Sequence, residues 1–182
     1  MIQTRFEFDS LYFGICLGFG QFNWEGDMHN DEIESVLEGC EFFKGLALED
    51  IQKIAGLCRQ ETFEVGEYLF RQGDFGDHIY IIAEGQVFLE RDTSLGPRQG
   101  TVIIGALGRG RICGCWATIL GTPHNLMSSA ACQKPTQVVV VKGSDLRQKM
   151  QESTEFGFNV LERLCFLLRD RIEAAYGAME NI

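Results

Sequence analysis

Between Gly66 and Gly121 the chain sets eleven glycines among short runs of β-branched and aromatic residues. This punctuation constrains the fold more than any other feature, because it leaves room for short strands and tight turns and little room for helix. The candidate strands are Thr62–Val65, Tyr68–Arg71, His78–Glu84, Gln86–Arg91, Thr101–Leu107, Ser128–Cys132 and Gln137–Lys142. Many short strands of this kind predict an antiparallel barrel or jelly roll over about 62–141. Gly66, Gly73, Gly76 and Gly85 are expected at turns that need a positive φ.

On both sides the pattern changes to helical spacing. From Asp31 to Cys58, apolar residues recur three and four apart (Ile33, Val36, Leu37, then Leu48, Ile51, Ile54, Ala55, Leu57, Cys58), which predicts two short amphipathic helices. Beyond Gly143, Ser144 is a suitable N-cap for a helix over Asp145–Met150, and Ser153 for a longer one. Leu161, Leu164, Leu168, Ile172, Ala175 and Met179 then form one stripe. Such a stripe either lies on the barrel or pairs with a second copy, and the expectation is a homodimer through Leu161, Leu164, Leu168, Ile172 and Ala175. The result is an α+β unit over 31–182, with helices over 144–180. It is preceded by an aromatic and glycine-rich arm over 1–30, which contains an alternating stretch, Thr4–Asp9, that suggests a short strand.

Charge limits the partners. A formal net charge of −10 opposes a sequence-independent grip on nucleic acid or an anionic membrane. The acid is concentrated: Glu25 to Glu67 holds twelve acidic residues against three basic ones, whereas Arg98 to Lys149 holds seven cations against Asp145 alone. An anionic ligand would be tolerated in that second stretch. Seven cysteines without regular spacing suit a reducing compartment, and three scattered histidines match no zinc pattern. The apolar run Leu11–Phe19 is about half of what a bilayer needs, and Glu7 and Asp9 stand where a signal peptide wants positive charge. A cytoplasmic protein without a membrane contact, a metal or a resident cofactor is expected. No nucleophile-and-base arrangement, paired-carboxylate motif or phosphate-binding loop appears, so no catalytic residue is assigned and an enzyme is not expected.

The segment from Val65 through Gly66-Glu67, Arg71-Gln72-Gly73-Asp74-Phe75-Gly76-Asp77 and Ala83-Glu84-Gly85-Gln86 to Val87 closely resembles the first half of a cyclic-nucleotide-binding domain, as in catabolite activator proteins and regulatory subunits of protein kinase A. Phe42-Phe43-Lys44-Gly45-Leu46 is similar to the family's entry segment, and Ala106–Ile112 to the strand before its phosphate-binding cassette. The resemblance runs from about Asp31 to the C-terminus. It implies a jelly-roll barrel flanked by helices that senses a cyclic nucleotide and moves its C-terminal helix. It also implies a cassette whose short helix offers free N–H groups to the phosphate, whose glutamate accepts from the ribose, and whose arginine binds the phosphate.

The cassette departs from that pattern. Its Phe-Gly-Glu-aliphatic-Ala is matched by Cys113-Gly114-Cys115-Trp116-Ala117, so Cys115 stands in the place of the glutamate. Its arginine is matched by Asn125, followed by Leu126, Met127 and Ser128; an alternative alignment puts His124 there. The pocket positions carried over are therefore Gly114, Cys115, Trp116, Ala117, Asn125, Leu126, Met127 and Ser128. Losing two hydrogen bonds to charged groups removes about 3–6 kcal/mol, or two to four orders of magnitude in affinity. The expected protein is a noncatalytic regulatory module with weak or no binding of cyclic AMP or cyclic GMP, acting through another small anionic ligand or through protein contacts. Two alternatives stand beside it: a genuine cyclic-nucleotide sensor using Ser128, Ser129 or Arg111, and a thiol sensor built on Cys113 and Cys115 with Cys132 or Cys58.

Overall fold

The structure, a computed structural model, describes residues 28–96 and 98–179. Two helices open it, α1 (Asn30–Gly39) and α2 (Leu48–Ala55). Eight strands follow: β1 (Cys58–Phe63), β2 (Tyr68–Phe70), β3 (His78–Glu84), β4 (Val87–Leu95), β5 (Arg98–Leu107), β6 (Ile112–Gly114), β7 (Ser129–Cys132) and β8 (Thr136–Lys142). A 3-10 helix, Trp116–Leu120, lies between β6 and β7, and α3 (Gly143–Glu152) and α4 (Thr154–Met179) close the chain. All strand pairings are antiparallel, in two four-stranded sheets ordered β1-β8-β3-β6 and β2-β7-β4-β5. This is the jelly roll expected from the glycine spacing. The arm's Thr4–Asp9 strand lies outside the described residues.

The core has two layers that share one sheet. On β3 and β8 alternate side chains point to opposite faces. Ile82, Val138 and Val140 face the opposite sheet, where they pack with Leu69, Phe70, Val87, Leu107 and Ala130. Ile79, Ile81, Val139 and Val141 face outward, where Leu37, Phe42, Phe43, Ile51, Ile54, Leu146, Phe156 and Val160 cover them. β8 is therefore buried on both faces, which is why Val138–Val141 reads as an uninterrupted apolar run.

Several boundaries differ from the sequence expectation. β1 begins at Cys58, so Leu57 and Cys58 belong to the entry into the sheet rather than to α2; their helical spacing comes from covering the same outer core. The predicted Thr62–Val65 strand ends at Phe63, and a turn closed by the Glu67 carboxylate on the Glu64 amide (2.7 Å) follows. α3 starts at Gly143, one residue before the proposed cap Ser144, whose hydroxyl instead donates to Asp145. Ser153 does cap α4, its Oγ accepting from the Phe156 amide at 3.3 Å. Gly76 has no positive φ, unlike Gly66, Gly73 and Gly85.

α4 carries two apolar stripes rather than one. Phe156, Val160, Leu164 and Leu167 are buried in the outer core. Leu161, Leu168 and Ile172 are exposed, in line with Phe158 and Tyr176. At ~100° per residue the two stripes lie roughly 130° apart around the helix. Leu164, 5 % exposed, therefore belongs to its own domain's core and leaves the expected intersubunit set. The side chains of Ala175 and Met179 lie outside the described part. No helix among the described residues is long and apolar enough to cross a membrane.

Candidate functional site

β6 brings the cassette to the barrel. It pairs with β3 through Ile79↔Gly114, Tyr80↔Cys113 and Ile81↔Ile112. At Gly114 the backbone turns with φ +112°, against the carbonyl of His78, and no side chain fits there. The Cys115 amide then donates to that same carbonyl at 3.0 Å. The short helix implied by the resemblance is a five-residue 3-10 helix, closed by Gly121 in the left-handed conformation. The loop behind it is laced to the glycine-rich turn before β3: Gly76 N donates to His124 O (3.1 Å), Gly73 N to Leu126 O (2.8 Å) and Leu126 N to Asp74 O (2.8 Å).

These elements line a partly open cavity of about 210 Å³. Of the eight carried-over positions, Gly114, Trp116, Leu126, Met127 and Ser128 line it. Cys115, Ala117 and Asn125 are not among its walls. Cys115 is buried behind the cavity with Sγ 3.6 Å from Nδ1 of His124. Ala117 sits within the 3-10 turn, its carbonyl accepting from the Thr122 amide. Asn125 is exposed and forms an isolated β-bridge with Phe75. Phe70, Leu89, Cys113, His124 and Arg171 complete the walls.

Phe70, Leu89 and Arg171 are walls that the sequence did not assign, and of these Arg171, supplied by α4, brings the charge. It lies four residues after Leu167 and seven after Leu164, on the barrel-facing side of the helix, and that spacing is the signal that could have located it. Its Nη2 donates to Oε1 of Glu41 and to the carbonyl of Ile112, each at 2.8 Å. Glu41, in the turn after α1, also accepts from the Ile112 amide at 3.0 Å and pairs with Arg111 at 2.7 Å. The guanidinium carbon stands 5.3 Å from the Trp116 ring, which in turn meets Phe42 edge-on. The entry turn, β6, the 3-10 helix and α4 thus meet at one ion-paired junction beside the cavity.

Burial pushes the thiols of Cys113 and Cys58 up to about 12, and raises Cys132 as well. No group of three or more His, Cys, Asp or Glu side chains that could hold a metal occurs among the described residues.

Comparison with known proteins gives a consistent answer. The chain is 33% identical over 78 residues to the cyclic AMP receptor protein of Thermus thermophilus, a match covering 43% of this chain and 35% of that relative. A cyclic nucleotide-binding domain from Methylobacillus flagellatus superposes with a TM-score of 0.69 at 23% identity, covering 82% of this chain and 81% of that one. The regulatory domain of Toxoplasma gondii PKA, solved with cAMP, superposes with a TM-score of 0.60 at 23% identity, over 78% of this chain and 50% of that one. The family model of the cyclic nucleotide-binding domain matches residues 60–153, more than half of the sequence, and the chain belongs to that family.

Proposed function

We propose that the protein is a noncatalytic regulatory module of cyclic-nucleotide-binding fold that does not use cyclic AMP or cyclic GMP as its effector and signals through contacts made by α4. The observation that carries this reading is the placement of the two substituted positions. Cys115 is buried behind the cavity and Asn125 is exposed beside it, so neither a ribose-accepting carboxylate nor a cassette guanidinium meets a ligand there. The relatives support the regulatory part of the reading: one is named a receptor protein and another a regulatory domain.

The substitute donors expected of a genuine cyclic-nucleotide sensor are largely engaged elsewhere. Arg111 pairs with Glu41, and the Ser129 hydroxyl accepts from the Gln72 amide at 2.9 Å. Ser128 alone of the three lines the cavity. The raised Cys113, Cys58 and Cys132 weigh against a thiol sensor, since the thiolate is the reactive species. For signalling, the exposed stripe of Phe158, Leu161, Leu168, Ile172 and Tyr176 fits a second copy of α4.

Calorimetric titration with cyclic AMP and cyclic GMP tests the reading. The expected result is no saturable heat below high micromolar nucleotide; low-micromolar binding of either would overturn it. Mass spectrometry of the natively purified protein for a copurified small molecule is the complementary measurement.

A further inference from the structure

The cavity has three properties that together select a class of ligand, given that the domain is a ligand-responsive module. The first is size. About 210 Å³ lies below the ~300–1,000 Å³ of sites that take drug-sized molecules. The second is its walls, which are mainly apolar: Phe70, Leu89, Trp116, Leu126 and Met127 face the space, with the hydroxyl of Ser128 and the imidazole of His124. The third is charge. Arg171 is the only formally charged side chain among the described residues that line the cavity.

The junction that holds Arg171 leaves a positive charge unbalanced. Arg111 and Arg171 share the single carboxylate of Glu41, so the three side chains carry a net +1 at the cavity's edge. Nε of Arg171 has no hydrogen-bond partner among the described residues, and because it is buried a ligand reaches it only when the side chain turns. A guanidinium offers five N–H donors in a fixed fork, and both protein acceptors of Arg171 are taken by Nη2 alone. Donor capacity and charge therefore point the same way, toward an incoming carboxylate.

We infer that this cavity receives a compact organic monoanion with an apolar body, such as a small aromatic carboxylate, whose carboxylate is taken by Arg171 of α4 and whose body lies against Trp116. The ligand and Glu41 then compete for one guanidinium. Glu41 keeps Arg111 and the Ile112 amide when Arg171 turns toward the ligand, so the exchange strands no buried carboxylate. What it changes is the tie between α4 and the barrel, which now depends on whether the cavity is occupied.

The experiment uses the full chain carrying Trp24→Phe, so that Trp116 is the only indole reporter. Benzoate, phenylacetate and cyclohexanecarboxylate are the probes, with benzamide as the neutral isostere of benzoate and cyclic AMP in parallel. At least one carboxylate is expected to give a saturable fluorescence change, with benzamide binding about tenfold or more weakly. Arg171→Gln should weaken the carboxylate by about tenfold or more, and Glu41→Gln should strengthen it by freeing the guanidinium. Benzamide binding as well as benzoate, an unchanged carboxylate affinity in a folded Arg171→Gln, or no saturable response to any of the three acids would overturn the inference. The benzoate and benzamide comparison needs no substitution at the junction, so it stands even where Arg171→Gln fails to fold. Tight cyclic AMP binding would sink the proposed function while leaving the comparison of acid and amide to decide the ligand class.

Discussion

A Cβ built on Gly76 would stand 2.7 Å from the Cβ of Cys115 and 2.9 Å from Cδ2 of Leu126. The turn before β3 and the cassette therefore touch through a missing side chain, and because φ at Gly76 is not positive the requirement is purely one of space. Gly76→Ala should cost about 1–3 kcal/mol, the usual range for overpacking a filled core, and should displace Leu126 from the cavity wall. Urea denaturation checks the first effect, and a changed emission of Trp116 in a Trp24→Phe background the second.

The two substituted cassette positions are expected to respond in opposite ways to restoration. Asn125→Arg changes an exposed residue, so the protein should stay folded and gain about ten- to a hundredfold in cyclic AMP affinity from one charge-assisted contact. Cys115→Glu places a carboxylate in the packed space beside Gly76 and His124, and should lower stability by about 3 kcal/mol or more. Calorimetry and thermal unfolding of the two single variants separate these outcomes; a stable Cys115→Glu that binds cyclic AMP would show that a side chain at position 115 can reach into the cavity.

The two stripes of α4 predict two kinds of failure. Leu167→Ala removes a side chain from the outer core and should cost about 2–5 kcal/mol without altering assembly. Ile172→Glu alters a residue that is 55 % exposed, and should leave thermal stability of the subunit nearly unchanged while converting a dimer to a monomer. Sedimentation velocity alongside denaturation reads both. Wild-type protein that stays monomeric at high micromolar concentration would overturn the dimer.

Alkaline pH should unfold the domain earlier than its lysine amines alone require. Cys58 and Cys113 are raised to about 12 and Cys40 to about 11, each chiefly by burial. A thiol in the unfolded chain ionises near ~8.5. Below that pH both states are protonated and the full stability is present; above it the unfolded chain releases protons that the native state retains, so stability falls until the pH passes the folded values. The urea midpoint is expected to be flat from pH 6 to 8 and to drop between pH 9 and 11, with a smaller drop in Cys113→Ala. Among the described cysteines, only exposed Cys165 should react rapidly with a disulfide reagent at pH 8.

What the sequence revealed and what it hid follow from the length and burial of each piece. β3 was legible to the residue, because seven residues of alternating and β-branched character are bounded by a turn and a glycine. β6 was not, since three residues carry no period. The start of β1 carries helical spacing because Leu57 and Cys58 cover the same core as α2, and apolar spacing records burial before it records conformation. The resemblance assigns the cassette positions, yet the placement of Cys115 outside the cavity goes with the close approach of Gly76, which no local pattern encodes. Arg171 escaped for a simpler reason: a search for apolar stripes passes over a cation that shares the stripe.

With 26 residues, α4 is a rod about 39 Å long at ~1.5 Å per residue. Its first half is rooted in the outer core through Phe156, Val160, Leu164 and Leu167, and Arg171 grips the barrel one turn further on, two thirds of the way along. A rod fixed along one half and tethered just beyond it is a mechanical lever. About 18 Å of helix lies beyond Leu167, and loosening the tether by a pivot of roughly 10° there sweeps the distal end through ~3 Å, close to the width of a side chain. A rearrangement confined to one guanidinium at a small cavity is thereby converted into a change of register along the exposed face, at a distance where no ligand atom reaches.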